Sequence, residues 1–141
     1  MDSRIEDFIK KADRCLNQGK ECFSNLEYDM SIARSYECIE FALKAVLIMV
    51  NGSYPQEHDV GIGLRDIYSR VPEYFKNKIP RFVVISKISA NLHTFAKYGY
   101  ESLGASPKTL FEKHNAEAAI KDADEVLLHC RNLFDDINSK I

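Results

Sequence analysis

The chain has 141 residues, with 45% hydrophobic residues, 28% charged residues and a formal net charge of −2. This length favours a single domain that buries a core without a metal or disulfide staple. The near-neutral charge argues against bulk nucleic-acid binding over a whole face but leaves room for a local basic pocket. The longest apolar run, Ala45 to Val50, is far shorter than the roughly 20 residues of a membrane span, and MDSRIEDFIKK lacks a signal-peptide apolar region, so we expect a cytoplasmic protein with no membrane association.

The first predicted helix spans roughly Asp2 to Phe23, with apolar side chains at steps of three and four residues. Gly19 weakens its last turns by about 1 kcal/mol relative to Ala, so we expect fraying there. The short link from Ser24 to Glu27 forces the first two helices into an antiparallel hairpin.

The second predicted helix, Tyr28 to Val50, organises the rest of the chain because its apolar stripe is too wide for an isolated helix in water. The large apolar residues on this stripe are Tyr28, Ile32, Tyr36, Ile39, Leu43, Val46, Leu47 and Val50. Asp29, Arg34, Glu37 and Lys44 are expected on the opposite, polar side. The other helices are therefore predicted to pack around this one.

The middle of the chain is predicted to be broken into shorter pieces. Asn51-Gly52 suits a left-handed C-cap, and a short third helix follows from about Asp59 or Gly61 to Arg70. A short irregular helical turn is expected over Glu73 to Ile79. These pieces connect the first hairpin to the second half of the bundle.

The second half begins with a helix between Arg81 and Tyr100, whose apolar side includes Ile88 and whose polar side includes Ser86. A long loop, Gly99 to His114, separates it from the last helix, for which Asn115 is the predicted N-cap. The predicted fold is all-α, an antiparallel up-and-down bundle of four main helices plus a short additional helix, forming one domain over residues 1–141.

The sequence contains no pattern typical of a metal site or a common catalytic site. None of the four histidines lies three residues after a glutamate, as a di-iron bundle requires, and hydrolase elbows, P-loops and zinc spacings are absent. The four cysteines lie within helical patterns without a C-x-x-C pair, which indicates buried, reduced thiols. We therefore predict no cofactor, no metal and no catalytic residue.

Two single residues have two open interpretations each. His58 follows a proline-containing loop, where it either caps the next helix or is presented to a ligand. Lys44 lies one turn after Glu40 and either forms an i,i+4 ion pair on the helix surface or binds an anion in a groove between helices.

Taken together, these pieces resemble the HEPN domain, the higher eukaryotes and prokaryotes nucleotide-binding domain. The matching stretches cover nearly the whole chain and are ARSY at 33–36, EFALKAVL at 40–47, HDV at 58–60, AKY at 96–98, and NAEAA at 115–119 through ADEVL at 123–127.

The resemblance implies a helical bundle that pairs as a homodimer and is often encoded beside a minimal nucleotidyltransferase. Family roles run from nucleotide binding to RNA cleavage in toxin-antitoxin and defence systems. The RNA-cutting members have an Arg followed, after four to six residues, by a His that assists proton transfer. No arginine of this chain has a histidine at that distance, so the sequence does not predict an enzyme.

The preferred interpretation is a non-catalytic HEPN-like module that binds a nucleotide or a nucleotidyltransferase partner, in a toxin-antitoxin type system. Its predicted ligand-binding residues are Lys44, His58, Lys97 and Tyr98, with the cations for phosphate and Tyr98 for base stacking. Two alternatives stay open: a metal-independent ribonuclease of the HEPN type with a degenerate active site, and a purely structural dimeric interaction protein.

Overall fold

A computed structural model describes residues 2–98, 104 and 111–140, apart from the side chains of residues 94, 95, 97 and 98. The α-helices in this part of the chain are α1 (Ser3–Ser24), α2 (Tyr28–Asn51), α3 (Leu64–Ile67), α4 (Glu73–Lys76), α5 (Ile79–Tyr98) and α6 (Lys113–Ser139). Two 3-10 segments, Val60–Gly63 and Tyr68–Arg70, flank α3, and no strand occurs among the described residues. The predicted all-α bundle of four main helices with a short additional one is confirmed.

The first two long helices form the predicted antiparallel hairpin. Ile5 and Ile48 belong to the same buried cluster at one end, and Gly19 meets Ser31 at the other. The Ser31 hydroxyl donates to the Gly19 carbonyl at 2.7 Å, and a Cβ at Gly19 would lie only 3.1 Å from Ser35 Oγ. Gly19 therefore permits close helix approach, a role that its low helix propensity does not reveal.

Helix α2 is the centre of the bundle, with α1, α5 and α6 packed around it. Five of the eight residues of the predicted apolar stripe are buried, and Tyr28, Tyr36 and Val50 are partly buried. Three small residues outside the stripe, Ala33, Cys38 and Ala45, are buried as well. Asp29, expected on an exposed polar side, is only 9% exposed. The prediction of one buried and one solvated side was wrong because three neighbours surround this helix.

The four long helices alternate in direction. His93 of α5 contacts Glu37 of α2, whereas Ser86, earlier on α5, contacts Asp59, which lies beyond the far end of α2. Ion pairs of 3.1 Å from Lys20 to Asp124 and of 3.0 Å from Arg131 to Asp13 join α1 and α6 in antiparallel order. The result is the up-and-down arrangement predicted from the sequence.

Helix α5 differs from its predicted pattern at two positions. Ile88, expected in the core, is 49% exposed, and Ser86, expected outside, is buried. The Ser86 hydroxyl accepts a hydrogen bond from the Gly61 amide at 3.0 Å and donates to Asp59 at 2.9 Å. A small polar side chain with both partners satisfied is stable in this position, so periodicity alone assigned the wrong residue to the core.

The last helix begins three residues earlier than predicted. The structure places the N-cap at Glu112 and the first helical residue at Lys113. The side-chain oxygen of Asn115 accepts a hydrogen bond from the Glu112 backbone amide at 2.9 Å. Asn115 therefore satisfies the cap from inside the first turn. The predicted loop from Gly99 to His114 falls mostly outside the described residues.

Candidate functional site

A row of six polar side chains follows one side of α2, and we call it the polar row. Its members are Arg34, Glu37, Glu40 and Lys44 of α2, His93 of α5, and His58 of the loop after α2. The spacing of three and four residues places the four α2 members on the same side of that helix. Both histidines approach them from neighbouring segments.

Glu37 is the centre of the first half of the polar row. Its Oε2 accepts a hydrogen bond from Arg34 Nη1 at 2.8 Å, and its Oε1 lies 3.2 Å from His93 Nε2. The hydrogen bond from His93, helped by Arg34, lowers the pKa of the Glu37 carboxyl to about 2 against the opposing effect of burial. Glu37 is therefore ionised at any physiological pH.

The Cys15 thiol also faces Glu37, with Sγ 3.8 Å from Oε2. Burial, together with the nearby Glu37 charge, raises the pKa of this thiol to about 11. Cys15 is therefore a neutral thiol that completes the packing around the carboxylate, and it is a poor nucleophile.

Glu40 is the centre of the second half. One carboxylate oxygen is 2.7 Å from Lys44 Nζ, and the other is 2.8 Å from His58 Nδ1. The side chains of Glu40 and Lys44 are 19% and 16% exposed, whereas that of His58 is 69% exposed. The predicted i,i+4 pair is confirmed, and the structure adds a histidine to the same carboxylate.

The two halves meet at the histidines. The ring centroids of His58 and His93 are 5.7 Å apart, with an angle of 37° between the ring planes. The polar row is therefore continuous from Arg34 to Lys44, a distance along the α2 axis of about 15 Å.

A recess of about 320 Å³ opens beside the second half. Its lining residues are Glu40, Lys44, Tyr54, Pro55, Gln56, Glu57 and His58. The Lys44 ammonium lies 5.1 Å from the centroid of the Tyr54 ring, within reach of a cation–π interaction. A cation, an imidazole and an aromatic ring thus converge on a space within the lower range of small-ligand sites.

Within the polar row, Lys44 and His58 are the pair that can hold an anionic group. Lys44 and His58 already hold one anionic group, the Glu40 carboxylate, between two nitrogen donors, which is how proteins also bind phosphate oxygens. No cluster of metal-ligating side chains occurs in the part of the chain that the structure describes.

The structure brings together two of the four predicted ligand-binding residues, Lys44 and His58. The N-cap of the next segment is Asp59, and the His58 ring instead contacts Glu40, so the capping interpretation was wrong. The side chains of Lys97 and Tyr98 lie outside the described residues. The helix turn that contains Lys97 and Tyr98 follows Ala96, which lies in the same apolar cluster as Ala33. Ala33 is about 16 Å from Lys44 along the α2 axis.

Sequence reasoning missed four members of this site: Tyr54, Glu37 as a shared carboxylate, and its two partners Arg34 and His93. Tyr54 carries only a weak signal, an aromatic before Pro55 in the loop that leads to His58. The spacing of Arg34 and Glu37 is that of an i,i+3 ion pair, but their link to His93 depends on tertiary packing.

Comparison with known proteins covers the whole polar row. The sequence model of the HEPN domain matches residues 5–133. The Methanocaldococcus jannaschii protein named "Putative toxin MJ1304" is 30% identical to this chain in an alignment 124 residues long that covers 85% of this chain and 81% of that protein. No solved structure matches the chain significantly. In the described part of the chain, no helix combines the length and the apolar character that crossing a bilayer requires.

Proposed function

The chain belongs to the HEPN domain family, and from that premise we propose that it is a non-catalytic module that binds a nucleotide in the recess beside Lys44. The observation that supports this proposal is the convergence of Lys44 and His58 on one carboxylate, with Tyr54 beside them. A nucleotide phosphate takes the place of the Glu40 carboxylate between the two donors, and the base stacks on Tyr54.

In this proposal the Glu40 carboxylate competes with the phosphate for Lys44 and His58. The recess contains one lysine and two glutamates, Glu40 and Glu57, so a phosphate enters only if Glu40 releases its donors. The two partners of the Lys44–Glu40 ion pair therefore have opposite effects on affinity. Loss of Lys44 weakens phosphate binding, whereas loss of the Glu40 charge strengthens it.

Calorimetry with ATP and GTP tests the proposal on wild type and matched variants. We expect saturable binding that Lys44→Met weakens by about tenfold or more and that Glu40→Gln strengthens several-fold. Lys10→Met is the control, because Lys10 forms a similar i,i+4 pair with Glu6 but its side chain is 68% exposed. No heat and no thermal shift with any nucleotide, or effects of the same sign for both Lys44 and Glu40 variants, would contradict the proposal.

The predicted residues Lys97 and Tyr98 are tested in the same titration. If they contribute to the same ligand, Lys97→Ala weakens binding in addition to the loss from Lys44→Met. If the recess is sufficient, Lys97→Ala leaves the affinity unchanged.

The partner in our proposal is a minimal nucleotidyltransferase in a toxin-antitoxin type system, with the chain as a homodimer. Support comes from family membership and from the relative named as a toxin. Controlled expression in a bacterial host should arrest growth, and co-expression of a nucleotidyltransferase encoded beside the gene should relieve the arrest. Light scattering tests the dimer, and a monomer at micromolar concentration would contradict that part.

One observation favours a second candidate, a metal-independent ribonuclease. Arg34 and His93 come from different helices but share the Glu37 carboxylate, so an arginine and a histidine lie side by side without a sequence motif. Labelled RNA with EDTA distinguishes the two candidates. Cleavage that His93→Ala or Arg34→Ala abolishes would replace the binding proposal, and His114→Ala serves as the comparison because the His114 side chain is 74% exposed.

A further inference from the structure

The outward side of α5 is apolar and exposed. Val84 and Ile88, one turn apart, are 57% and 49% exposed. Beside them, the 3-10 segments contribute Ile62 and Tyr68, which are 48% and 45% exposed. A recess of about 380 Å³ lies here, and its lining residues are Arg65, Tyr68, Ile79, Pro80, Val83 and Val84. We call this region the α5 outer face.

The α5 outer face is separate from the polar row. Val84 and His93 are nine residues apart on one helix, which is two and a half turns and places them on opposite sides. A ligand in the recess beside Lys44 therefore does not reach Val84, and occupancy of the two surfaces can be measured independently.

The charges around α5 are distributed unevenly. On the side toward α6, Arg81 is bound by Asp122 and Glu125, and Lys78 is also paired with Glu125. On the outer face, Arg65 and Lys87 are exposed and form no ion pair with any described residue. Arg65 and Lys87 therefore provide two unpaired positive charges at the rim of the apolar surface.

A third cation belongs to the same rim. Lys76 Nζ lies 5.3 Å from the centroid of the Tyr68 ring, and its contact with Glu73 is long, at 3.6 Å. Exposed ion pairs of this length contribute little. Glu73 offsets the charge of Lys76 in the free protein, but so weak a pair lets Lys76 exchange Glu73 for a carboxylate of a partner.

We propose that the α5 outer face is the docking surface for an acidic amphipathic helix of a partner protein. Apolar side chains at positions i, i+3 and i+4 of the partner helix fill the recess between α5 and the 3-10 segments. Flanking carboxylates then pair with Arg65, Lys76 and Lys87, and this charge complementarity selects the partner. The surface suits a helix better than single-stranded RNA, because its exposed residues are mainly aliphatic and Tyr68 is its one stacking ring among the described residues.

Fluorescent synthetic peptides test this surface on the full chain by anisotropy. One peptide carries leucines at helical spacing with glutamates elsewhere, and its counterpart carries lysines in place of the glutamates. We expect wild type to prefer the glutamate peptide by about tenfold or more. The Arg65→Glu/Lys87→Glu double variant should reverse that preference, whereas Arg14→Glu/Lys113→Glu, the same charge change at two other exposed cations, should retain it.

Val84→Asp should abolish binding of both peptides without changing the circular dichroism, since the side chain is mostly exposed. Ile88→Glu provides the second variant if Val84→Asp unfolds. Equal affinity for the two peptides, or binding unaffected by either variant, would overturn the proposal. If wild type is a dimer that Val84→Asp dissociates, the proposal is also overturned, because a second copy of the chain then covers this face. RNA binding that depends on Arg65 and Lys87, without any peptide binding, would overturn it as well.

Discussion

Glu37 on α2 and His93 on α5 are joined by a hydrogen bond of 3.2 Å that ties the central helix to its neighbour. Both side chains are largely shielded, at 18% and 17% exposed, and Arg34 holds the second oxygen of Glu37. Polar groups at this depth are stable only while their partners are present. The polar row thus stabilises the packing of α5 against α2, in addition to forming a candidate site.

The interactions of Glu37 predict that the stability of the protein falls in acid. The pKa of Glu37 is about 2 in the folded protein against an ordinary value of 4.5, so its stabilisation is complete above about pH 4.5 and is lost as the pH falls toward 2. Urea unfolding should show the free energy of wild type falling more steeply than that of Glu37→Gln over this window. The difference should be on the order of a few kcal/mol.

Glu6→Gln is the control for this measurement, because the Glu6 side chain is 67% exposed and its ion pair with Lys10 is long. Its unfolding curve should follow that of wild type at each pH. Parallel curves for wild type and Glu37→Gln between pH 4.5 and 2 would show that Glu37 contributes no pH-dependent stability.

The existence and order of the long helices could be predicted because their apolar periodicity is long, although the starts of α5 and α6 were misplaced by two and three residues. The C-cap of α2 was predicted as well, since Gly52 adopts the expected left-handed conformation with a φ of 78°. Solvent exposure was predicted less well. Asp29 and Ser86 are buried and Ile88 is exposed, because burial depends on how many neighbours a helix has, which periodicity does not encode.

The candidate site was predicted in part. The Lys44–Glu40 pair is local, so its spacing alone predicts it, and the loop before α3 pointed to His58. The link from Glu37 to His93 spans 56 residues of sequence and arises only when α5 packs against α2. Tertiary contacts of this kind leave no signal in a single sequence.

Leu26, in the turn between α1 and α2, has a positive φ of 63° and is 73% exposed. A left-handed conformation costs a residue with a Cβ about 1–2 kcal/mol, and glycine avoids this cost but loses more chain entropy on folding. Leu26→Gly should therefore raise the free energy of unfolding, by up to about 1 kcal/mol. Leu26→Ala, which keeps the Cβ, is the control in thermal denaturation, and equal midpoints for the two variants would argue against strain at this turn.

The four free cysteines should differ in reactivity toward a thiol reagent at pH 8. Burial raises the pKa of every one of these thiols, but Cys22 is only partly buried, whereas Cys15, Cys38 and Cys130 are buried. The thiolate is the reactive form, so Cys22 should react first and the other three only after denaturation. Cys22→Ser should remove the single fast-reacting thiol, and fast reaction at several native sites would contradict the structure.

Among the described glycines, Gly61 leaves the least room for a side chain, since a Cβ at this position would lie 2.6 Å from Ser86 Cβ. Its amide also donates to the Ser86 hydroxyl, which in turn donates to Asp59. Gly61→Ala should therefore lower the free energy of unfolding by about 1–3 kcal/mol, because neither carbon can rotate away. A double-mutant cycle with Ser86→Gly isolates the clash from the lost hydrogen bonds and from helix propensity. In the Ser86→Gly background, Gly61→Ala should cost little stability, which gives a coupling energy above about 1 kcal/mol. If the stability losses of the two single variants are instead additive, the 3-10 segment moves to admit the new methyl group.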